Sequence, residues 1–158
     1  MLIISAPTLS EATAAKAASH SLGLDITELH ASGESEIDAA FAALASDKVG
    51  ALIISTDPIL LSRREQIVQL AARFKIPTIY FLRDFVDAGG LMSYGPNIHN
   101  NYRQVGVYVG RILKGEMVGE LPFVQPTRFD LVINLRTARA LNLEIPTILL
   151  IRADETIE

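Results

Sequence analysis

Polar side chains gather directly after several short apolar runs of this chain. The run ALIIS (51–55) is followed by Thr56 and Asp57, and three other runs end in a similar way. The four clusters together contain hydroxyls, a carboxylate, a guanidinium, aromatic rings and an amide, and they occupy residues 5–8, 55–58, 81–84 and 93–97. Such a set can orient a small polar or amphipathic molecule through hydrogen bonds while an aromatic face covers it.

Helix capping and turn formation are the alternative explanation for the same residues. Ser, Thr, Asp and Asn are common at helix N-termini and in turns, where their side chains bond to nearby backbone groups. For any one residue, capping is the simpler interpretation. Because polar residues follow four apolar runs together, a shared binding rim is as well supported as capping.

Sequence motifs for catalysis and for cofactor binding are missing. No G-x-G-x-x-G or P-loop pattern follows an apolar run, and no G-x-S-x-G pattern could place a nucleophilic serine. The chain contains no cysteine, and its three histidines are too scattered for a metal site. We therefore expect no catalysis, no cofactor and no bound metal. A flavodoxin-like enzyme acting through Asp57 and Arg83 stays an alternative, although a paired base, nucleophile or metal set is missing.

The size and composition of the chain indicate one ordinary soluble domain. Its 158 residues suffice for a hydrophobic core, and 49% of them are hydrophobic and 20% charged. A net charge of -4 argues against a nucleic-acid partner, which needs clustered Lys and Arg. No apolar run reaches the roughly 18 residues of a membrane helix. The first residues lack the basic and apolar regions of a signal peptide, so none is predicted in this chain and a cytoplasmic location stays open.

Apolar runs and helical patterns alternate along the first two thirds of the chain. Five runs are predicted as strands, in residues 2–5, 25–31, 51–55, 76–81 and 90–95. This alternation, with nearly continuous apolar strands, is typical of a parallel sheet that helices cover on both faces. We expect an α/β three-layer sandwich with a mostly parallel, doubly wound five-stranded sheet. Its strand ends, and with them the polar clusters, would meet at one edge.

A C-terminal extension follows the last of these runs. It contains a predicted helix over 100–114, an extended piece flanked by prolines, a strand at Phe129–Asn134 and a short helix over 137–141. The final stretch TILLIRADETIE is interpreted as a closing helix. We therefore divide the chain into an α/β lobe (1–98) and a helix with a return segment (99–158), which packs on the lobe or on a second subunit.

Four stretches occur in a specific order from residue 50 onward. They are SRRE (62–65), GGLMSYG (89–95), YRQVGVYVGRILKGE (102–116) and LPFVQPTRFDLVINLRTARALNL (121–143). In this order they closely resemble substrate-binding proteins of ABC importers with a periplasmic-binding-protein-like type I fold, in the branch linked to aromatic amino acids and related solutes. The resemblance extends more weakly back to Leu2. It covers the second, flavodoxin-like lobe and the return segments of a family whose members are roughly twice as long.

The resemblance implies one half of a clamshell. In the family, a small solute lies in the cleft between two lobes, and the closed form docks on an ABC permease outside the cytoplasm, in the periplasm of many bacteria. By position, Asp57, Phe81, Tyr94 and Asn97 would contribute to the cleft, with Thr56 and Arg83 behind them. Asp57 would accept hydrogen bonds or meet an ammonium group. Phe81 and Tyr94 would provide aromatic cover, and Thr56 and Asn97 would fix the orientation of the solute.

The resemblance covers the second lobe and not the first, and this leads to an expectation about oligomeric state. In the family, the helix that matches residues 100–114 packs on the first lobe. Exposing its large side chains to water would forfeit about 1.5–3 kcal/mol each, or roughly 7–15 kcal/mol for Val105, Tyr108, Val109, Ile112 and Leu113. The sequence therefore predicts a homodimer, with 99–158 as a segment that two copies could exchange. A truncated interaction or structural module without a transport role stays the main alternative.

Overall fold

A seven-stranded sheet runs through the computed structural model, which describes residues 2–4, 9–126 and 128–158. Its strands, in chain order, are β1 (Leu2–Ile4), β2 (Glu28–His30), β3 (Leu52–Ile54), β4 (Thr78–Tyr80), β5 (Met92–Pro96), β6 (Phe129–Asn134) and β7 (Glu155–Ile157). They are arranged in the order β2-β1-β3-β4-β5-β6-β7. Strands β1 to β5 are mutually parallel, which confirms the predicted α/β fold class and its mostly parallel sheet.

The last two strands extend this sheet beyond the five that were predicted from the first part of the chain. Strand β6, which was predicted, pairs antiparallel with β5, and β7 pairs parallel with β6. The closing helix ends earlier than predicted, at Arg152. Two hydrogen bonds between Asp154 and Leu131, of 2.8 Å and 2.9 Å, hold the following residues against β6. The β-branched Thr156 and Ile157 then continue as a strand.

Eight α-helices and one short 3-10 turn connect the strands in the described residues. The helices are α1 (Leu9–Ser21), α2 (Glu34–Ser46), α3 (Pro58–Ser62), α4 (Arg64–Arg73), α5 (Arg83–Asp87), α6 (Ile98–Leu113), α7 (Leu135–Ala140) and α8 (Thr147–Arg152). The 3-10 turn spans Val118–Glu120. None of the described helices is long and apolar enough to cross a membrane.

The main hydrophobic core lies on one face of the sheet, under α2, α4 and α5. Helix α2 presents Ile37, Phe41 and Leu44 at helical spacing, and all three are fully buried. They pack with Leu52 and Ile54 of β3. Because side chains alternate along a strand, the intervening Ile53 points to the opposite face and is 40% exposed. Helix α1 lies on that opposite face, so the two faces are covered unequally.

Residues 98–126, which we call the arm, extend from the junction between β5 and β6. The arm consists of α6 and an extended return segment. Its base is closed by a 3.2 Å hydrogen bond from the Asn97 amide to the Arg128 carbonyl, and its two limbs meet where the Tyr108 hydroxyl donates to the Pro122 carbonyl at 2.6 Å. No residue of α6 is buried. The predicted division of the chain at residue 98 stays a prediction.

Candidate functional site

A cavity of about 150 Å³ opens where β4 and β5 end and β6 begins, and we call it the edge cavity. Because β1 to β5 are parallel, their carboxyl ends share this edge of the sheet. Strand β6 is antiparallel to β5, so its first residues reach the same edge. Binding crevices of open α/β sheets are found at this end of the strands.

Three of the six predicted site residues line the edge cavity. They are Phe81, Arg83 and Asn97. Phe81 is half-buried, and its ring lies 5.8 Å from the ring of the core residue Phe85. The cavity depends on Gly95, because a Cβ atom there would lie 1.7 Å from the carbonyl oxygen of Phe81. Only a glycine lets β5 pass this close to the chain that follows β4.

Tyr94 does not line the edge cavity. Its neighbours Ser93 and Gly95 do, and alternation along β5 directs Tyr94 to the other side of the sheet. There its ring stacks on Phe129 with 5.9 Å between centroids, and 57% of the residue is exposed. The predicted aromatic cover is thus split between two surfaces.

Asp57 and Thr56 also lie outside the lining of the edge cavity. Asp57 is the N-cap of α3, where its carboxylate accepts hydrogen bonds from the amides of Ile59 at 2.6 Å and Leu60 at 3.3 Å. These are the contacts of a helix N-cap, which was the alternative interpretation of Asp57 from the sequence. The first polar cluster, residues 5–8, lies outside the described residues.

Arg83 is held by two carboxylates. Its Nη1 and Nη2 atoms bond to Glu155 at 2.5 Å and 2.7 Å, and its Nε atom lies 3.2 Å from Asp87. The hydrogen bonds to Glu155 are the main reason that the pKa of Arg83 lies above its ordinary value. The guanidinium is therefore charged at any working pH, but both acids already neutralise it.

Asn97 and Asp130 form a second polar contact at the cavity. The Asn97 side chain accepts from the Asn100 amide at 2.8 Å, as the N-cap of α6, and donates to Asp130 at 2.5 Å. Asp130 also accepts from Arg128 at 2.9 Å. Burial raises the pKa of Asp130, but the hydrogen bonds from Arg128 and Asn97 outweigh it and leave this pKa below the ordinary value. Asp130 is therefore ionised at neutral pH.

Carboxylates outnumber cations in the edge cavity. Among the described residues, Asp84, Asp87 and Asp130 line it, and Arg83 is the only lysine or arginine that does. Arg83 is paired with Asp87 and Glu155, and Asp130 is paired with Arg128 outside the lining. The cavity is therefore suited to a positively charged group such as an ammonium rather than to a free carboxylate. No group of three or more acidic or histidine side chains in the described residues could hold a metal ion.

The sequence reasoning missed Asp130, Asp87 and Glu155. Asp130 carried a usable signal, because it begins a predicted strand and an antiparallel partner of β5 must start at the carboxyl edge. Glu155 carried none. It lies in a stretch that was interpreted as a helix and reaches Arg83 only through the pairing of β7 with β6.

A sequence model of one protein family, described as ABC transporter substrate binding protein, matches residues 5–157. Among curated proteins, a tyrosine-binding protein of Clostridioides difficile is 26% identical over 120 residues, which are 76% of this chain and 34% of that protein. Two solved structures also match. A conserved domain protein of Vibrio cholerae O1 biovar El Tor has a TM-score of 0.86 at 26% identity, covering 98% of this chain and 53% of that one.

The second matching structure is an ABC domain of Streptococcus pneumoniae in complex with L-Trp. It has a TM-score of 0.87 at 23% identity and covers 99% of this chain and 55% of that one. At this identity it shows the fold alone. The chain thus spans about a third of the curated relative and about half of the solved structures that it matches.

Proposed function

The chain belongs to the family of ABC transporter substrate-binding proteins, and on that premise we propose that it binds a small amino-acid-like solute at the edge cavity. The matched protein of C. difficile is a tyrosine-binding protein, which supports an aromatic amino acid as the solute. Its binding role applies to that protein, and the transfer to this chain is part of the proposal.

The observation that carries this proposal is the excess of carboxylates beside an aromatic ring. Asp130 is ionised, and Asp84 shares its cavity, so together they would attract the ammonium group of an amino acid. Phe81 and Ile98 line the same cavity and would contact an aromatic side chain. The paired Arg83 would act by holding Asp87 and Glu155 in place rather than by binding a carboxylate of the solute.

The size of the cavity determines how much of the solute this chain can enclose. Pockets for small molecules usually measure about 300–1,000 Å³, and the edge cavity, with about 150 Å³, is smaller. It would therefore receive the ammonium end and part of the ring. The remaining surface of the solute would be covered by groups outside this cavity, among which Thr56, Asp57 and Tyr94 stay predicted members.

Transport is the wider role in which this binding would take part. An ABC permease is the partner that we propose, and the extracytoplasmic side of the membrane is the proposed place of action. The chain would bind its solute without transforming it. All three proposals rest on family membership.

Isothermal titration with three related compounds tests the proposal. L-tyrosine carries both charged groups, tyramine lacks the carboxylate, and 4-hydroxyphenylpropionic acid lacks the ammonium. We expect L-tyrosine and tyramine to bind and the acid to bind most weakly. Asp130→Asn should weaken L-tyrosine binding by about 10- to 100-fold, because a hydrogen bond to a charged group contributes about 1.5–3 kcal/mol.

Asp47→Asn is the matched control, since Asp47 is an exposed acid at the end of α2 and lies outside the edge cavity. Its affinity for L-tyrosine should equal that of the unchanged chain. Binding of none of the three compounds, or equal binding by the Asp130→Asn variant, would contradict the proposed site.

A further inference from the structure

The charged side chains that line the edge cavity differ in whether they already have a partner. Arg83 forms ion pairs with Asp87 and Glu155, and Asp130 forms one with a residue outside the lining. No hydrogen bond or ion pair to another described residue involves the Asp84 carboxylate. Within the described part of the chain, the cavity therefore presents an unpaired acid to a solute but no unpaired lysine or arginine.

All three nitrogen atoms of the Arg83 guanidinium are occupied. The Nη1 and Nη2 atoms donate to the two carboxylate oxygens of Glu155 at 2.5 Å and 2.7 Å, and Nε donates to Asp87 at 3.2 Å. The two Nη atoms form a fork that can hold a carboxylate through two parallel hydrogen bonds. Glu155 fills this fork, so a carboxylate of the solute would have to displace Glu155 in order to bind there.

The pairing of three strands brings Glu155 to this position. Ser93 of β5 lies opposite Val132 of β6, and Val132 lies opposite Glu155 of β7. Residues that are paired across neighbouring strands project from the same face of a sheet, and Ser93 and Val132 both line the edge cavity. Glu155 therefore projects from the face that bears the cavity and reaches Arg83 at the start of α5, although it does not line the cavity itself.

The ion pair between Arg83 and Glu155 is accessible to solvent but excludes a competing carboxylate. The two side chains are 47% and 44% exposed. Because Glu155 belongs to the same chain, its effective concentration beside Arg83 is on the order of millimolar or higher. A free carboxylate at micromolar concentration therefore rarely replaces it. Without the Glu155 carboxylate, the exposed fork of Arg83 would be available to a solute.

We propose that Glu155 determines the specificity of the edge cavity, because by occupying Arg83 it keeps the cavity selective for ammonium compounds over carboxylates. The inference rests on the proposed function, in which the solute binds in this cavity, and it adds a specificity-determining residue that lies outside the lining. Anchoring of β7 is the simpler role for the same ion pair. The two roles have different consequences: loss of an anchor weakens the binding of every solute, whereas loss of the masking carboxylate strengthens the binding of an acid.

Isothermal titration of the Glu155→Gln variant tests this role. The substitution removes the charge at nearly constant size, which frees the Nη atoms of Arg83 while Asp87 still holds Nε. Affinity for 4-hydroxyphenylpropionic acid should rise by about 10-fold or more, as expected for hydrogen bonds to a charged group, and affinity for tyramine should not rise. Glu158→Gln is the matched control, since Glu158 is exposed, makes no ion pair with Arg83 and lies outside the cavity lining. Its affinity for the acid should equal that of the unchanged chain.

A second substitution assigns the gain in affinity to Arg83. In the double variant Glu155→Gln/Arg83→Gln, the gained affinity for the acid should disappear, because no guanidinium is left to bind it. The NMR signal of the Arg83 Nε–H group supplies an independent measurement. When the acid is added, this signal should shift in a saturable way in the Glu155→Gln variant and stay in place in the unchanged chain.

The single variant Arg83→Gln keeps the proposal testable if Glu155→Gln does not fold. A guanidinium that Glu155 occupies does not contact the carboxylate of the solute. The ratio of the affinities for L-tyrosine and tyramine should therefore be the same as in the unchanged chain. A selective loss of affinity for L-tyrosine would show that Arg83 binds the solute carboxylate directly, which would overturn the proposal.

Failure of this inference and failure of the proposed function give different results. If the unchanged chain binds L-tyrosine but Glu155→Gln binds the acid no better than Glu158→Gln does, Glu155 is only an anchor and the proposed solute site stands. A gain that persists in the double variant would also overturn the role of Arg83. If neither the unchanged chain nor any variant binds any of the three compounds, the inference and the proposed function fail together.

Discussion

Helices α2 and α6 carry the same kind of apolar stripe, but their surroundings differ completely. Four residues of α2 are buried, namely Ile37, Ala40, Phe41 and Leu44, and they contact the core on one face of the sheet. Helix α6 is longer, with 16 residues against 13, and buries none of them. The pattern of apolar residues thus predicts that a face needs cover, but it does not identify what covers it.

Connectivity explains the difference between the two helices. Helix α2 joins β2 to β3, two strands that both neighbour β1, so the helix must pass over the sheet. Helix α6 joins the adjacent antiparallel strands β5 and β6, whose ends lie side by side. A short turn would suffice there, so this connection does not have to pass over the sheet.

The largest expected effect is a difference in the free energy of unfolding between substitutions in the two stripes. Phe41→Ala should lower the free energy of unfolding by about 3–5 kcal/mol, because it leaves a cavity in the core. Val109→Ala should change it by less than about 0.5 kcal/mol, since Val109 is 49% exposed. Urea denaturation followed by circular dichroism measures both. Similar losses for the two variants would mean that α6 is buried within a single copy.

Two glycines sharpen the same comparison. Gly95→Ala should destabilise the chain by about 1–3 kcal/mol, because its new methyl group would collide with the Phe81 carbonyl. Gly106→Ala in α6 meets open space and should stabilise the chain by up to about 1 kcal/mol through better helix propensity. Thermal unfolding of both variants measures whether each substitution stabilises or destabilises the chain. A stabilising Gly95→Ala would show that β5 does not pass close to Phe81.

Removing the N-cap of α3 should have a smaller effect on stability. Asp57→Ala removes the hydrogen bonds to the Ile59 and Leu60 amides and should cost about 1 kcal/mol of stability. Asp47→Ala is the control, since an acid at the C-terminal end of α2 is not favoured by the helix dipole. Urea denaturation should show a loss for the first variant only. If Asp57→Ala has no effect on stability but weakens solute binding, Asp57 serves the site rather than the helix.

The smallest expected effect depends on pH. The pKa of folded Asp130 lies below the ordinary value of about 3.9, so its ionised form stabilises the fold at neutral pH. This contribution is fully present above the unfolded pKa and is lost as the pH falls through the folded one. Because the Arg128 partner is mostly exposed, the difference between the unchanged chain and Asp130→Asn should stay below about 1 kcal/mol.

Urea denaturation of the unchanged chain and of Asp130→Asn between pH 7 and pH 2 checks this prediction. The difference in stability should shrink toward zero on the acid side. A difference that grows as the pH falls would show that Asp130 is stabilised in its protonated form.

The fold was largely predictable from the sequence, because apolar periodicity is a strong local signal. The five strands of the parallel sheet, β6 and the helical character of α6 all follow from the spacing of apolar residues. Strand β7 does not, since Glu155–Ile157 is short and follows a helix directly. Its position depends on hydrogen bonds to β6, which a local pattern does not contain.

The candidate site was predictable only in part. Polar residues after β4 and β5 indicated an edge of the sheet, and Phe81, Arg83 and Asn97 line one cavity there. The sequence did not predict which residues of β5 point to which face of the sheet. The run around Ser93 and Tyr94 contains polar, aromatic and small residues on both faces. The pairing of Arg83 with Glu155 joins residues 72 positions apart and depends on the register of two strands. Such contacts follow from the tertiary structure alone.

An NMR titration with L-tyrosine tests the central claim most directly, because it compares the edge cavity with residues outside it in one experiment. We expect the backbone amide signals of Phe81, Gly95 and Asn97 to shift in a saturable way, while those of Ser19 and Gly50, which lie outside the edge cavity, stay unchanged. Saturable shifts that cluster around Ser19 and Gly50, or no shifts at any ligand concentration, would contradict the account.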